Sequence, residues 1–124
     1  MPQRDELYVA DMVEAAQEVA GWLDGVTRER WDSDSILRNA VLYKLLILGE
    51  IARSLSEELR EKYTRIPWRA VRGFRNVAVH QYFGVDWAVV WKLAMDEAPK
   101  LKDEGLAILR AEFPDIAARF DQSP

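Results

Sequence analysis

Apolar residues recur three and four positions apart along most of the chain, the spacing of one face of an α-helix. In the first segment Val9, Met12, Val13, Ala16, Val19, Ala20 and Leu23 mark such a face, with Gly25 as a stop. After a short polar connection, Ser33 or Asp34 can cap a long second helix running to about Tyr63. Its stripe of Leu37, Val41, Leu45, Leu48, Ala52, Leu55 and Leu59 is regular. A second arc of Ile36, Ala40, Tyr43, Ile47 and Ile51 widens it. Leu42 and Leu46 fall on the opposite side, so residues 40–51 are apolar nearly all round. A helix of that kind is buried on more than one side. In a small domain this suggests a subunit interface as well as a core.

Pro67 reads as the first-turn proline of a third helix, running through Trp68, Val71, Phe74 and Ala78 to about Tyr82, where Gly84 breaks it. Asp86 can cap a fourth helix of Trp87, Val90, Trp91, Ala94 and Ala98. Pro99 then kinks that helix or starts a fifth, which carries Leu101, Ile108 and Leu109 and ends at Phe113-Pro114. No alternating strand pattern, repeat or low-complexity linker interrupts the series. The pattern predicts an all-α antiparallel bundle of about four to five helices over residues 1–113. A short C-terminal tail, residues 114–124, has room for one more turn.

At 124 residues and 49% hydrophobic content, this is one domain with enough apolar surface for a core. The net charge of −4 argues against a generally basic nucleic-acid binder, but the distribution changes that picture. Residues 60–80 hold Arg60, Lys62, Arg65, Arg69, Arg72 and Arg75 against Glu61 alone, a band of +5 on a remainder of −9. Such a band concentrates positive field in one place. The absence of cysteine excludes disulfides and thiolate chemistry and suits a reducing compartment. The amino terminus lacks the apolar run of a signal peptide, and no stretch is long and apolar enough to span a bilayer. The expected setting is the cytoplasm, without membrane partners.

His80 is the sole histidine, and so the one side chain whose ordinary pKa lies near neutrality. It sits in Arg75-Asn76-Val77-Ala78-Val79-His80-Gln81-Tyr82, beside groups suited to a phosphate. On one continuous helix Arg69, Arg72, Asn76 and His80 share a polar stripe, with Arg65 ahead of it. Arg75 and His80 are five apart, about 140° around the axis. They converge on one phosphate only if the helix ends near His80 or the arginine reaches around. Cleaving RNA without a metal needs a base for the 2′-hydroxyl, an acid for the departing 5′-oxygen, and positive charge on the phosphorane. Arg75 supplies charge but does not titrate. One histidine does not readily serve as acid and base in a single step. A two-fold dimer would bring two copies of His80 together, and the second helix offers the interface.

Each of these residues also has a plainer reading. A lone histidine near a helix end is commonly a surface or capping group. The arginines can form a solvated face or pair with the acidic residues 5–34. Tyr82 beside Phe83 can be a partly buried aromatic. Lys44 and Glu50, within the apolar part of the second helix, can make a satisfied polar contact. One histidine and no cysteine leave only oxygen ligands for a metal, without a clustered carboxylate motif, so no metal site is expected.

The stretch IPWRAVRGFRNVAVHQYFGVD, residues 66–86, closely resembles HepT-type proteins of the HEPN superfamily, small all-α toxins with an arginine-x4-histidine-x-tyrosine signature. Arg38-Asn39, Leu48-Gly49-Glu50-Ile51 and residues 96–101 also look like that family, so the likeness spans residues 4–110. It implies a metal-independent ribonuclease, with no cofactor, whose site lies in a cleft between two protomers. The family's catalytic histidine and arginine map onto His80 and Arg75, and its accompanying polar residue onto Asn76. It also implies a cognate minimal nucleotidyltransferase antitoxin that modifies the motif tyrosine, here Tyr82, with adenylyl groups (AMPylation). Lys44 departs from a stretch that is usually more apolar or acidic, and the tail after Phe113 has no counterpart.

The expectation is therefore a homodimeric RNase toxin of a toxin–antitoxin pair, acting on tRNA or mRNA, with Arg69, Arg72 and Arg65 on the RNA backbone. The alternative is a non-catalytic HEPN helical module that binds RNA, nucleotide or a nucleotidyltransferase. A purely structural dimerisation protein would explain the second helix and leave the polar stripe idle.

Overall fold

The computed structural model describes residues 4–79 and 84–121, and every regular element among them is helical. Helix α1 (Asp5–Leu23) buries the expected stripe of Val9, Met12, Val13, Ala16, Val19 and Leu23. It stops ahead of Gly25, whose φ of 73° is the left-handed conformation that glycine adopts freely.

In place of the expected polar connection stands a short helix, α2 (Arg28–Ser33). Thr27 caps it by accepting from the Arg30 backbone N–H at 3.1 Å. Its contribution to the core is Trp31, which is fully buried. The Trp31 indole N–H donates to the Trp87 carbonyl at 3.1 Å, and its ring meets those of Trp87 and Trp91 at 6.3 and 5.2 Å. This cluster, with the Arg38 guanidinium 5.1 Å over Trp87, anchors the chain just beyond the histidine motif.

Asp34, one of the two expected caps, starts α3 (Ser35–Ser54) by accepting from the Leu37 N–H at 3.0 Å. The helix does not run on to Tyr63. Leu55 and Ser56 take extended backbone, and a separate α4 (Glu57–Lys62) follows. The reason is local capping joined to a distant partner. The Ser56 hydroxyl accepts from the Leu59 N–H at 3.1 Å, while the buried Asp5 carboxylate accepts from the Ser56 N–H at 2.9 Å and from its hydroxyl at 2.5 Å.

The single third helix is likewise broken, into α5 (Trp68–Arg72), a 3₁₀ turn (Gly73–Arg75) and α6 (Asn76–Val79). Trp68, Val71 and Phe74 are buried and Val77 packs against the core, so the anchors recur every third residue. That spacing matches the three residues per turn of a 3₁₀ helix better than the 3.6 of an α-helix. Asp86 caps α7 (Trp87–Glu112) as expected, accepting from Ala88 and Val89 N–H groups. Pro99 starts no new helix; α7 continues through it to Glu112. The tail then forms α8 (Pro114–Asp121), two turns that bury Ala117.

Helix α1 runs antiparallel to both α3 and α7. Asp5 reaches Ser56 at one end of α3, and Glu18 pairs with Lys44 at 3.1 Å further along. Gly105 of α7 lies against Met12 and Val13, whereas Ala94, Met95 and Pro99 share a small cavity with Ala20 and Leu23. The antiparallel all-α bundle therefore holds, built on three long helices and short connecting ones rather than four or five similar ones. No helix among the described residues is long and apolar enough to cross a membrane.

Candidate active site

The chain from Ile66 to Phe74 is pinned to the core by its buried apolar anchors and by the Trp68 indole N–H, which donates to the Tyr63 carbonyl at 2.8 Å. These anchors set Arg75 at the end of the 3₁₀ turn, directly above α3. A Cβ added at Gly49 would lie 3.0 Å from Arg75 Cγ and 3.3 Å from the Val71 carbonyl oxygen. A glycine lets Arg75 approach this closely without displacing either chain. One position on, the Glu50 carboxylate meets the Arg75 guanidinium, Oε1 to Nε, at 2.6 Å. Both side chains remain partly open to solvent, 39% for Arg75 and 53% for Glu50.

The rest of the basic band divides by partner. Arg60 donates to the Ala52 carbonyl at 3.2 Å, satisfying an orphan acceptor at the end of α3. Lys62 donates to Glu112 at 2.9 Å, and that carboxylate raises the Lys62 pKa. Burial raises the pKa of neighbouring Tyr63, with Glu112 adding to the effect. Arg65 approaches Glu104 of α7 at 3.9 Å and is largely exposed. Arg69 and Arg72 are exposed and form no ion pair among the described residues. Of the expected RNA-binding set, these two keep their charge unopposed, whereas Arg65 leans toward α7.

The expected stripe of Arg69, Arg72 and Asn76 assumed one continuous α-helix. The 3₁₀ turn adds about 20° per residue, so Asn76 rotates away from the line of the two arginines. Asn76 is exposed at the start of α6. His80 and Tyr82 lie outside the described residues. Lys44 and Glu50 do have polar partners, but in different helices: Lys44 pairs with Glu18 of α1, and Glu50 with Arg75. That Glu50 would find a polar partner was legible in the sequence, but not that the partner would be Arg75.

Beside Glu50 lies an open apolar groove of about 310 Å³, lined by Tyr8, Tyr43, Leu46, Ile47 and Ile51. Tyr43 is 60% exposed and Ile36, two turns earlier, 83%. Leu42, expected on an outer face, packs against the core of its own chain. The uncovered apolar surface of α3 is thus narrower than expected and runs alongside Glu50.

Comparison with known proteins settles the relationship. The family described as ribonuclease HepT-like matches residues 12–108, most of the chain. The chain belongs to the HepT-like ribonuclease family. A relative in Methanocaldococcus jannaschii, provisionally named an RNase, is 32% identical over 105 residues, 84% of this chain and 96% of its own. Another from Caldanaerobacter subterraneus subsp. tengcongensis, also provisionally named an RNase, is 30% identical over 105 residues, covering 85% and 94%. A Thermococcus cleftensis protein with the provisional name ribonuclease HepT is 30% identical over 95 residues, covering 77% and 86%. No solved structure matches the chain. The family match takes in Arg75, the 3₁₀ turn and the histidine motif, and it stops short of α8.

Proposed function

We propose that this chain is a metal-independent endoribonuclease, active as a homodimer and acting as the toxin of a toxin–antitoxin pair. His80 moves the protons, Arg75 stabilises the phosphorane, and Asn76 orients the histidine or the phosphate. The 2′-oxygen attacks the adjacent phosphorus as its proton leaves to a base. The bond to the 5′-oxygen breaks as that oxygen gains a proton, leaving a 2′,3′-cyclic phosphate and a 5′-hydroxyl. With one histidine per chain, the second proton carrier is the His80 of a second copy. Arg69 and Arg72, with Arg65, hold the RNA backbone.

The observation that carries this reading is the placement of Arg75. It ends a 3₁₀ turn, partly exposed, one short helix ahead of His80 in sequence, and next to the uncovered apolar surface of α3. A two-fold dimer closed over that surface, with its axis near Arg75, would set two motif arginines at one cleft. Incubation of the purified chain with RNA and a chelator tests it. The expected products carry cyclic-phosphate ends, and His80→Ala folds yet cleaves nothing. Full cleavage by well-folded His80→Ala would end this mechanism. Cleavage abolished by chelator alone would indicate a metal enzyme.

A further inference from the structure

We propose that Glu50 is a positioning residue for Arg75: its carboxylate holds the guanidinium by the Nε side, so that the terminal nitrogens are presented to the phosphate. The proposal rests on the ribonuclease reading of Arg75. Three observations carry it. The contact between Glu50 Oε1 and Arg75 Nε is 2.6 Å, the shortest ion pair among the described residues. Glu50 is the one ionic partner of the Arg75 guanidinium among the described residues, and its closest approach falls on Nε rather than on a terminal nitrogen. The adjacent Gly49 seats the backbone and Cγ of Arg75 on α3, which registers the whole residue, main chain and head group, to one rigid helix.

A stabilising role would not explain the arrangement, because an ion pair this exposed adds little to folding. A role in binding would not explain it either. A carboxylate beside a phosphate-binding arginine repels the RNA it serves. What the pair offers is orientation, since a long side chain free to sample its rotamers loses the alignment on which charge stabilisation of a transition state depends.

This gives a distinctive kinetic signature. In Glu50→Gln the side chain keeps its size and loses its charge. Its kcat for RNA cleavage should fall by about 10- to 100-fold, the scale of a misplaced catalytic group. KM should stay the same or decrease, because the repulsion is gone. Thermal unfolding followed by circular dichroism should be unchanged. In an Arg75→Ala background, Glu50→Gln should cause no further loss, because the group it positions is absent. Unchanged kcat in Glu50→Gln would overturn the proposal, and so would an equal loss in both backgrounds. Increased kcat would overturn it in another way, making the contact an inhibitory tie. The underlying reading fails separately. Absence of cleavage by the native dimer, or full cleavage by Arg75→Ala, would remove the ribonuclease mechanism, and the positioning role with it. Loss of cleavage in Arg75→Ala alone would remove only the positioning role.

Discussion

Asp5, in the first turn of α1, accepts hydrogen bonds from both the backbone N–H and the hydroxyl of Ser56, 51 residues away. The same hydroxyl caps α4, so one buried carboxylate joins the start of the chain to the break between α3 and α4. Asp5→Ala leaves the Ser56 N–H without its acceptor and removes two bonds to a charged group. The expected cost is about 2–3 kcal/mol, read as a lower denaturant midpoint with unchanged slope. A loss under about 0.5 kcal/mol, the range of ordinary surface changes, would mean that Ser56 holds the break unaided.

Two helical glycines should respond differently to alanine. At Gly105 a new Cβ would lie 2.7 Å from Val13 Cγ2, in the core between α1 and α7. Gly105→Ala should destabilise by about 1–3 kcal/mol through overpacking, while the folded fraction keeps its activity. At Gly49 the contacts are less severe, but they fall on Arg75. Gly49→Ala should change stability by less than about 1 kcal/mol, because the gain in helix propensity offsets the strain. It should nevertheless lower cleavage per folded molecule. Equal activity in the two folded variants would remove the distinction.

The uncovered surface of α3 makes a prediction about assembly. Ile36 and Tyr43 are mostly exposed in the single chain, so Ile36→Glu and Tyr43→Glu should leave its folding intact. Both should weaken the dimer by placing charge in an apolar contact. Sedimentation analysis should show monomer appearing at protein concentrations where the native chain is dimeric, with cleavage falling in parallel. A native chain that is monomeric and fully active at micromolar concentration would remove the two-histidine mechanism.

Tyr82 is expected to be the regulatory handle. On the proposed mechanism, an adenylyl group there would add a phosphodiester charge and bulk that compete with RNA for the motif arginine. Tyr82→Phe should stay toxic yet escape neutralisation by a co-expressed nucleotidyltransferase, with no adenylyl addition in intact-mass spectra. Continued modification and neutralisation would place the handle elsewhere.

The long helices were legible because a helix that buries one face must repeat apolar residues at its own period. The stripe from Val9 to Leu23 and that from Val41 to Ala52 do so. The breaks were not legible, for two different physical reasons. Ser56 ends a helix only because Asp5 is folded against it, a partner that periodicity does not contain. The turn at Gly73–Arg75 follows from anchors spaced by three, which within one short segment look much like a helical stripe. Helix α2 is too short to show a period at all, although its Trp31 is among the largest fully buried side chains. The candidate site divides in the same way. The motif residues were chosen by type and spacing, whereas the Glu50–Arg75 contact joins α3 to the 3₁₀ turn and required the fold.

Pro99 has a consequence for how the molecule comes apart. Lacking an N–H, it leaves the Met95 carbonyl without its rung in α7. The turns before it rest on the tryptophan cluster and the Ala20–Leu23 end of α1, and those after it on the Met12–Val13 side of the same helix. Amide hydrogens next to the missing rung should exchange faster than those in 101–109. A helix that keeps its course while lacking one rung carries a built-in place to open before the rest of the bundle unfolds.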